Sequence, residues 1–226
     1  GATGELGRVM TRTLAQCGAD VAIHYRSNEA QALKLQDEVE ALGRRAVIVQ
    51  GDVTSLESIQ AMKRTIEQAL GNVNIVVANA VAQYQWTSIL EQAPEDYESQ
   101  FDSCVMQSVF LAKTFAPAMI EAKWGRFIGI NTECSMQNLP TQSAYVAGKR
   151  GMDGVYRILA KEIGEHQITV NQVAPGWTIS DRDRENNTER SEAYESTVRL
   201  KRRGTDQEIA NAVAFLASDL ASFITG

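Results

Sequence analysis

Five short apolar runs recur along this chain, at residues 21–25, 46–50, 74–80, 126–132 and 168–173, and a segment of helical character follows each. They are rich in Val, Ile and Ala and show little alternation of apolar with polar residues, the pattern of strands buried on both faces. A strand that reaches the next strand through a helix returns parallel to it, because the crossover brings the chain back to the same end of the sheet. The expected fold class is therefore α/β: a doubly wound parallel sheet with helices on both faces. With 226 residues the chain can bury one sizeable core, and a single domain over 1–226 is expected.

Local signals set the boundaries. Leu6, Val9, Met10, Thr13 and Leu14 share one helical face, and Gly18 ends that helix. A helix is expected at about 29–42, and another to about 70, opened by a capping box at Thr54-Ser55-Leu56-Glu57. Pro94 marks the start of a long helical region reaching about 122, which Pro117 should kink or break. A further helix is expected over about 143–164. In it Gly148, Gly151 and Gly154 recur every third residue, a spacing that suits close packing against a neighbour. Thr205-Asp206-Gln207-Glu208 is a second capping box, before a helix with Ile209, Ala212, Val213 and Leu216 inward. Residues 178–203 are rich in charge and poor in apolar side chains. They read as a lid with short helices over a site, or as a solvated surface excursion.

Composition narrows the function classes. Lys and Arg number 22 against 28 Asp and Glu, a net charge of −6, which does not fit a general nucleic-acid binder. No apolar run reaches the roughly 18 residues of a membrane-spanning helix. Three scattered cysteines, Cys17, Cys104 and Cys134, form no disulfide framework, so a cytoplasmic setting is expected. The two histidines stand in no cluster with metal-ligand spacing.

The motifs point to a nucleotide and to proton transfer. Gly1-Ala2-Thr3-Gly4-Glu5-Leu6-Gly7 lets a backbone approach a phosphate closely and opens a helix, whose free N–H groups suit a pyrophosphate. Arg26 and Ser27 follow the first apolar run, where an acid would take a ribose 2′-hydroxyl. An arginine there suits a 2′-phosphate, which favours NADP(H) over NAD(H); otherwise it is a solvated loop residue. Asp52, followed by Val53, ends the second run, as an acceptor for an adenine amine or as a turn residue. Asn79 and Ala80 end the third with small side chains that leave room for a flat ring. Thr132 ends the fourth, and its hydroxyl could polarise a carbonyl. Tyr145 and Lys149 stand one helical turn apart on one face. An ammonium beside a phenol lowers its pKa from about 10, making Tyr145 a candidate general acid or base. Each motif also has an ordinary structural reading, and the weight lies in their combination.

That combination resembles the short-chain dehydrogenase/reductase family, nearest to its 3-oxoacyl-carrier-protein reductase type, over the whole chain. The likeness rests on the opening glycines, Asp52-Val53, Asn79-Ala80, Tyr145 with Lys149, Asn171 with Ala174-Pro175-Gly176, and the run from Arg203-Gly204-Thr205 to Ile224-Thr225-Gly226. It implies a Rossmann fold with one strand before Gly1 and another after Gly226. It also implies a nicotinamide cofactor held by the glycine turn, Arg26, Ser27, Asp52, Val53, Asn79, Ala80, Tyr145, Lys149, Pro175 and Gly176. Tyr145 would give a proton to a small-molecule carbonyl, Thr132 would hold its oxygen, and the protein would assemble as a homotetramer or homodimer. Four positions depart from the family pattern. Glu5 replaces a glycine, Thr132 replaces a serine, Val81 replaces a glycine, and Val105 replaces a helix asparagine. A carboxylate at Glu5 would repel a pyrophosphate unless it points to solvent. These departures keep open the alternative of a catalytically weak member with a binding or regulatory role.

Overall fold

The structure, a computed structural model, describes residues 1–226. Its strands are β1 (Val21–Tyr25), β2 (Ala46–Gln50), β3 (Ile75–Ala78), β4 (Gly125–Ile130) and β5 (Ile168–Val173). Its helices are α1 (Glu5–Gln16), α2 (Glu29–Ala41), α3 (Leu56–Leu70), α4 (Pro94–Gln100), α5 (Gln107–Ala122), α6 (Cys134–Gln137), α7 (Ser143–Ile163), α8 (Asp181–Asn186), α9 (Glu192–Thr197) and α10 (Asp206–Ala217). All strand pairing is parallel. β1 pairs with β2, placing Ile23 opposite Ile48. The other sheet runs β3-β4-β5, with Val76 opposite Phe127 and Phe127 opposite Val170.

Alternate residues of each strand feed opposite faces, as the period of two requires. Phe127 meets Ile59, Met62 and Ile66 of α3, Leu111, Phe115 and Met119 of α5, and Met152 and Tyr156 of α7 in one core. Its neighbours Ile128 and Ile130 turn to the other face, against Val9 and Met10 of α1 and Ala210 and Val213 of α10. A third cluster packs Ile23 and Tyr25 of β1 on Ala32, Leu35 and Val39 of α2. Each fully buried side chain of this size contributes about 1.5–3 kcal/mol, so the sheet is held from both sides. The free edges of β1 and β3 border a cavity of about 670 Å³ lined by Met10, Leu14, Ala22, Val77 and Asn79. Ile224–Gly226 lie along the free edge of β5, where the Gly226 N–H donates to the Val170 carbonyl at 3.0 Å.

The structure corrects some boundaries. The cap of α3 is Ser55, which accepts from the Ser58 N–H, and no box forms at Thr54 because Thr54 donates to Asp52. Pro117 lies inside α5 without ending it. The irregularity sits earlier, as a π-helical turn at Phe101–Met106 between α4 and α5. Side chains take up carbonyls in that turn: Gln107 Nε2 donates to Ser103, and Ser108 Oγ donates to Cys104 at 2.6 Å. Pro94–Ala122 is the one helical run long and apolar enough to cross a membrane, and it packs into the core through Leu111, Phe115 and Met119. The box at Thr205 forms as its sequence implies, and a further one at Ser180 and Asp183 starts α8.

Candidate active site

Parallel strands place their carboxyl ends along one edge, and the turns after them make the site. At the first turn two glycines, Gly1 and Gly7, leave no room for a side chain. A Cβ on Gly7 would fall 2.1 Å from the Gly1 carbonyl oxygen, and one on Gly1 would fall 2.7 Å from the Ala80 nitrogen. Asn79 Nδ2 donates to the Gly1 carbonyl at 2.9 Å, tying the glycine turn to the end of β3. No side chain caps α1 at Gly4, so its first N–H groups stay available to an anion. Glu5 does not stand alone there: Arg8 pairs with it at 3.1 Å and with Asp181 of α8 at 3.2 Å. Arg8 Nε is buried without a partner. An uncapped helix start, a cradle that a Cβ would fill and an orphaned guanidinium N–H fit a bound pyrophosphate. Thr3 and Leu6 belong to this same turn.

Arg26 and Ser27 are exposed after β1, and the Arg26 guanidinium has no ion-pair partner. It lies near Asp52, whose carboxyl is held below the usual range chiefly by hydrogen bonds from the Thr54 hydroxyl and N–H. Asp52 sits in the turn after β2, with Val53 beside it. The Ala80 carbonyl accepts from Gln107 Nε2 at 2.8 Å, which fixes the small-residue end of β3 against α5.

The second half of the site lies at the ends of β4 and β5. Thr132 stands past the end of β4, and its hydroxyl accepts from the Cys134 N–H at 3.2 Å. That hydroxyl also reaches the Tyr145 phenol. Tyr145 donates its backbone N–H to the Tyr84 hydroxyl at 2.7 Å, and Trp86 stacks on its ring at 5.8 Å. Lys149 is 3% exposed; its ammonium donates to the Ile130 carbonyl at 2.5 Å and lies 5.8 Å from the Tyr145 ring centre. Asn131 Nδ2 bonds Gln172 at 2.8 Å, and Gln172 bonds Asp153 at 2.8 Å, so β4, β5 and α7 keep a fixed register. Pro175 accepts from the Glu133 N–H at 2.9 Å. Gly176 has no space for a side chain, since a Cβ would fall 2.2 Å from the Tyr194 hydroxyl.

The structure thus brings Thr132, Tyr145 and Lys149 together and sets the glycine turn, Asn79 and Ala80 at the same edge of the sheet. It corrects the direction of one effect. Burial pushes the Tyr145 phenol up to about 12, and the hydrogen bond with Thr132 only partly opposes this. Burial also pulls the Lys149 ammonium below its ordinary value. In this pocket loss of hydration outweighs the attraction expected between phenolate and ammonium. A neutral phenol is the form that can donate a proton. Sequence reasoning missed Glu133, Tyr84, Trp86, Trp177 and Tyr194, which crowd the same edge. The one available signal was the placing of two of the three tryptophans, at 86 and 177, beside strand-end motifs.

Comparison with known proteins agrees with this geometry. A family model described as enoyl-(acyl carrier protein) reductase matches residues 1–226. The chain is 34% identical to a 3-oxoacyl-acyl-carrier-protein reductase of Pseudomonas aeruginosa, over all of this chain and 91% of that protein. It is 33% identical to nodulation protein G of Azospirillum brasilense, over all of this chain and 92% of that protein. Among solved structures, acetoin dehydrogenase from Salmonella typhimurium superposes with a TM-score of 0.89 at 30% identity, covering 99% of this chain and 88% of that one. LugOII, a promiscuous reductase catalysing keto-reduction in lugdunomycin biosynthesis, superposes with a TM-score of 0.90 at 26% identity, covering 100% and 91%.

Proposed function

This chain belongs to the short-chain dehydrogenase/reductase family, and on that premise we propose that it is an NADP(H)-dependent oxidoreductase interconverting a small carbonyl compound and its secondary alcohol. The observation that carries this is the convergence of the Thr132 hydroxyl, the Tyr145 phenol and the Lys149 ammonium beside an uncapped helix start. The bound nicotinamide would supply or accept the hydride. Tyr145, neutral through burial, gives its proton to the carbonyl oxygen, and Thr132 holds that oxygen in line. Lys149, donating to Ile130, binds the nicotinamide ribose and keeps a positive charge near the phenolate that forms. The turn from Gly1 to Gly7 receives the pyrophosphate, with Arg8 balancing Glu5. Asp52, Val53, Asn79 and Ala80 line the adenosine side, and Pro175 and Gly176 back the nicotinamide. Residues 178–203 serve as the lid over the substrate.

Arg26 and Ser27 receive the 2′-phosphate in this reading, and the unpaired guanidinium supports it. Arg26→Asp should reverse the preference from NADPH toward NADH, and an unchanged ratio of dissociation constants would refute that assignment. Fluorescence titration with NADPH and NADH, followed by turnover of diacetyl and an acetoacetyl thioester, tests the whole reading. Tight NADPH binding with turnover of a carbonyl supports it; no binding of either cofactor overturns it. One observation favours the alternative of a weak enzyme retained for binding: Val105 packs toward Gly151, where a Cβ would meet its Cγ2 at 2.6 Å, and offers no hydrogen bond. NADPH binding without turnover of any carbonyl would favour that alternative. Assembly as a homotetramer or homodimer would cover Phe101 and Ile158, which stand 52% and 54% exposed next to α4 and on α7.

A further inference from the structure

Glu133 follows Thr132 directly and is half-buried at the rim of the reacting position. Its backbone is fixed by Pro175, and its Oε1 accepts from the Tyr194 hydroxyl at 2.7 Å. Its Oε2 faces Gly176, where a Cβ would fall 2.8 Å away. No lysine, arginine or histidine pairs with it. Three lid cations are engaged elsewhere: Arg203 with Asp183 at 3.1 Å, Arg190 with Glu195 at 2.8 Å, and Arg184 with Asp206 at 2.7 Å. Arg203 also lies 4.2 Å from the Trp177 ring centre and donates to carbonyls of Trp177, Thr178 and Thr188, so its charge is used within the lid. Glu133 is therefore a half-buried carboxylate whose one side-chain partner is the neutral Tyr194 hydroxyl.

The ring that touches it is Tyr194, which meets Trp177 edge-on at 5.7 Å and accepts from the Trp177 backbone N–H at 2.9 Å. A half-buried carboxylate with no cation beside it is the complement of an organic ammonium group.

We propose that Glu133 sets substrate choice, and that the substrate is an aminoketone whose protonated amine meets Glu133 while its carbonyl meets Thr132 and Tyr145. This rests on the oxidoreductase reading of those two residues. A purely structural role for Glu133, as the anchor of Tyr194, makes a different prediction. Glu133→Gln keeps an oxygen to accept from Tyr194 but removes the charge.

The test is calorimetric binding to the full chain with NADP⁺ present, at mildly acidic pH where the amine is protonated. The ligands are 2-(dimethylamino)acetophenone and its neutral carbon isostere, isovalerophenone. The amine should bind about tenfold more tightly than the isostere, as one charge-assisted contact allows. The advantage should vanish in Glu133→Gln and survive in the lid variant Glu192→Gln. Equal binding of the two ligands, or a preference that survives Glu133→Gln, overturns the proposal. Turnover is read separately. A Glu133-dependent preference without reduction of either ketone upholds the selectivity and defeats the oxidoreductase reading, whereas reduction of both without preference does the reverse.

Discussion

Helix α7 carries Tyr145 and Lys149, and its three glycines allow a controlled test of how it is seated. Alanine gains about 1 kcal/mol over glycine in a helix interior, the same at each position. Their surroundings differ. At Gly154, which is exposed, a Cβ meets nothing within 4 Å. At Gly148 it would lie 2.8 Å from the Gln100 carbonyl oxygen and 3.1 Å from its carbonyl carbon. Those are backbone atoms, so α7 or the junction of α4 with the π-helical turn must move. Overpacking of this kind costs about 1–3 kcal/mol, which exceeds or cancels the helical gain. Gly154→Ala should therefore stabilise by about 1 kcal/mol, and Gly148→Ala should destabilise by about 1 kcal/mol. The difference of about 2 kcal/mol corresponds to roughly 1 M between their urea midpoints. Gly148 lies between the two site residues, so the same shift should lower kcat by about 100-fold in Gly148→Ala and leave Gly154→Ala near wild type. Equal midpoints would refute the close approach of α7 to Gln100.

Tyr145→Phe should lower kcat at least 1,000-fold, on the order of a lost general acid, while NADPH binding changes by no more than about threefold. The same variant has a pH signature. The folded state holds the Tyr145 proton up to about 12, whereas the unfolded chain releases it near 10. Stability from this group is thus complete below pH 10 and lost as pH rises through 12, so the variant should decline by about 2–3 kcal/mol less in urea unfolding across that window. Glu5→Gln should tighten NADPH binding about threefold at low salt, less than a bare charge would require because Arg8 offsets it, and the gain should fade in salt titrations. Lys149→Met should lower kcat about 100-fold or more and raise KM for NADPH, since the residue serves both phenol and ribose in the proposed mechanism.

Much of the fold was legible because it follows from local chemistry. Short apolar runs rich in Val, Ile and Ala mark the five strands, and Thr205 with Glu208 marks the start of α10. Boundaries failed where two local signals competed. Thr54 and Ser55 both suit a cap, and Asp52 settles the matter by engaging Thr54. Pro117 looked disruptive, yet the helix runs through it, and the irregularity sits in residues with no breaker among them. The juxtaposition of Tyr145 and Lys149 was legible because helical spacing dictates it. The direction of the Tyr145 shift was not, because burial is set by Trp86, Tyr84 and Thr132 arriving from other parts of the chain. Glu133 meets Tyr194 across 61 residues of sequence, a contact that no local pattern encodes.

The two departures that most threaten activity have different consequences. Glu5 is compensated within its own helix turn and by the segment at α8, since Arg8 holds both Glu5 and Asp181. Val105 has no polar compensation. Carbonyls of the surrounding π-helical turn are already taken by Gln107 and Ser108, so they are poor anchors for a relay water. Burial raises the Tyr145 phenol to about 12, so the phenolate that the proposed mechanism forms depends on the positive charge of Lys149 on the same helix. Lys149→Met should therefore cost kcat as well as cofactor affinity.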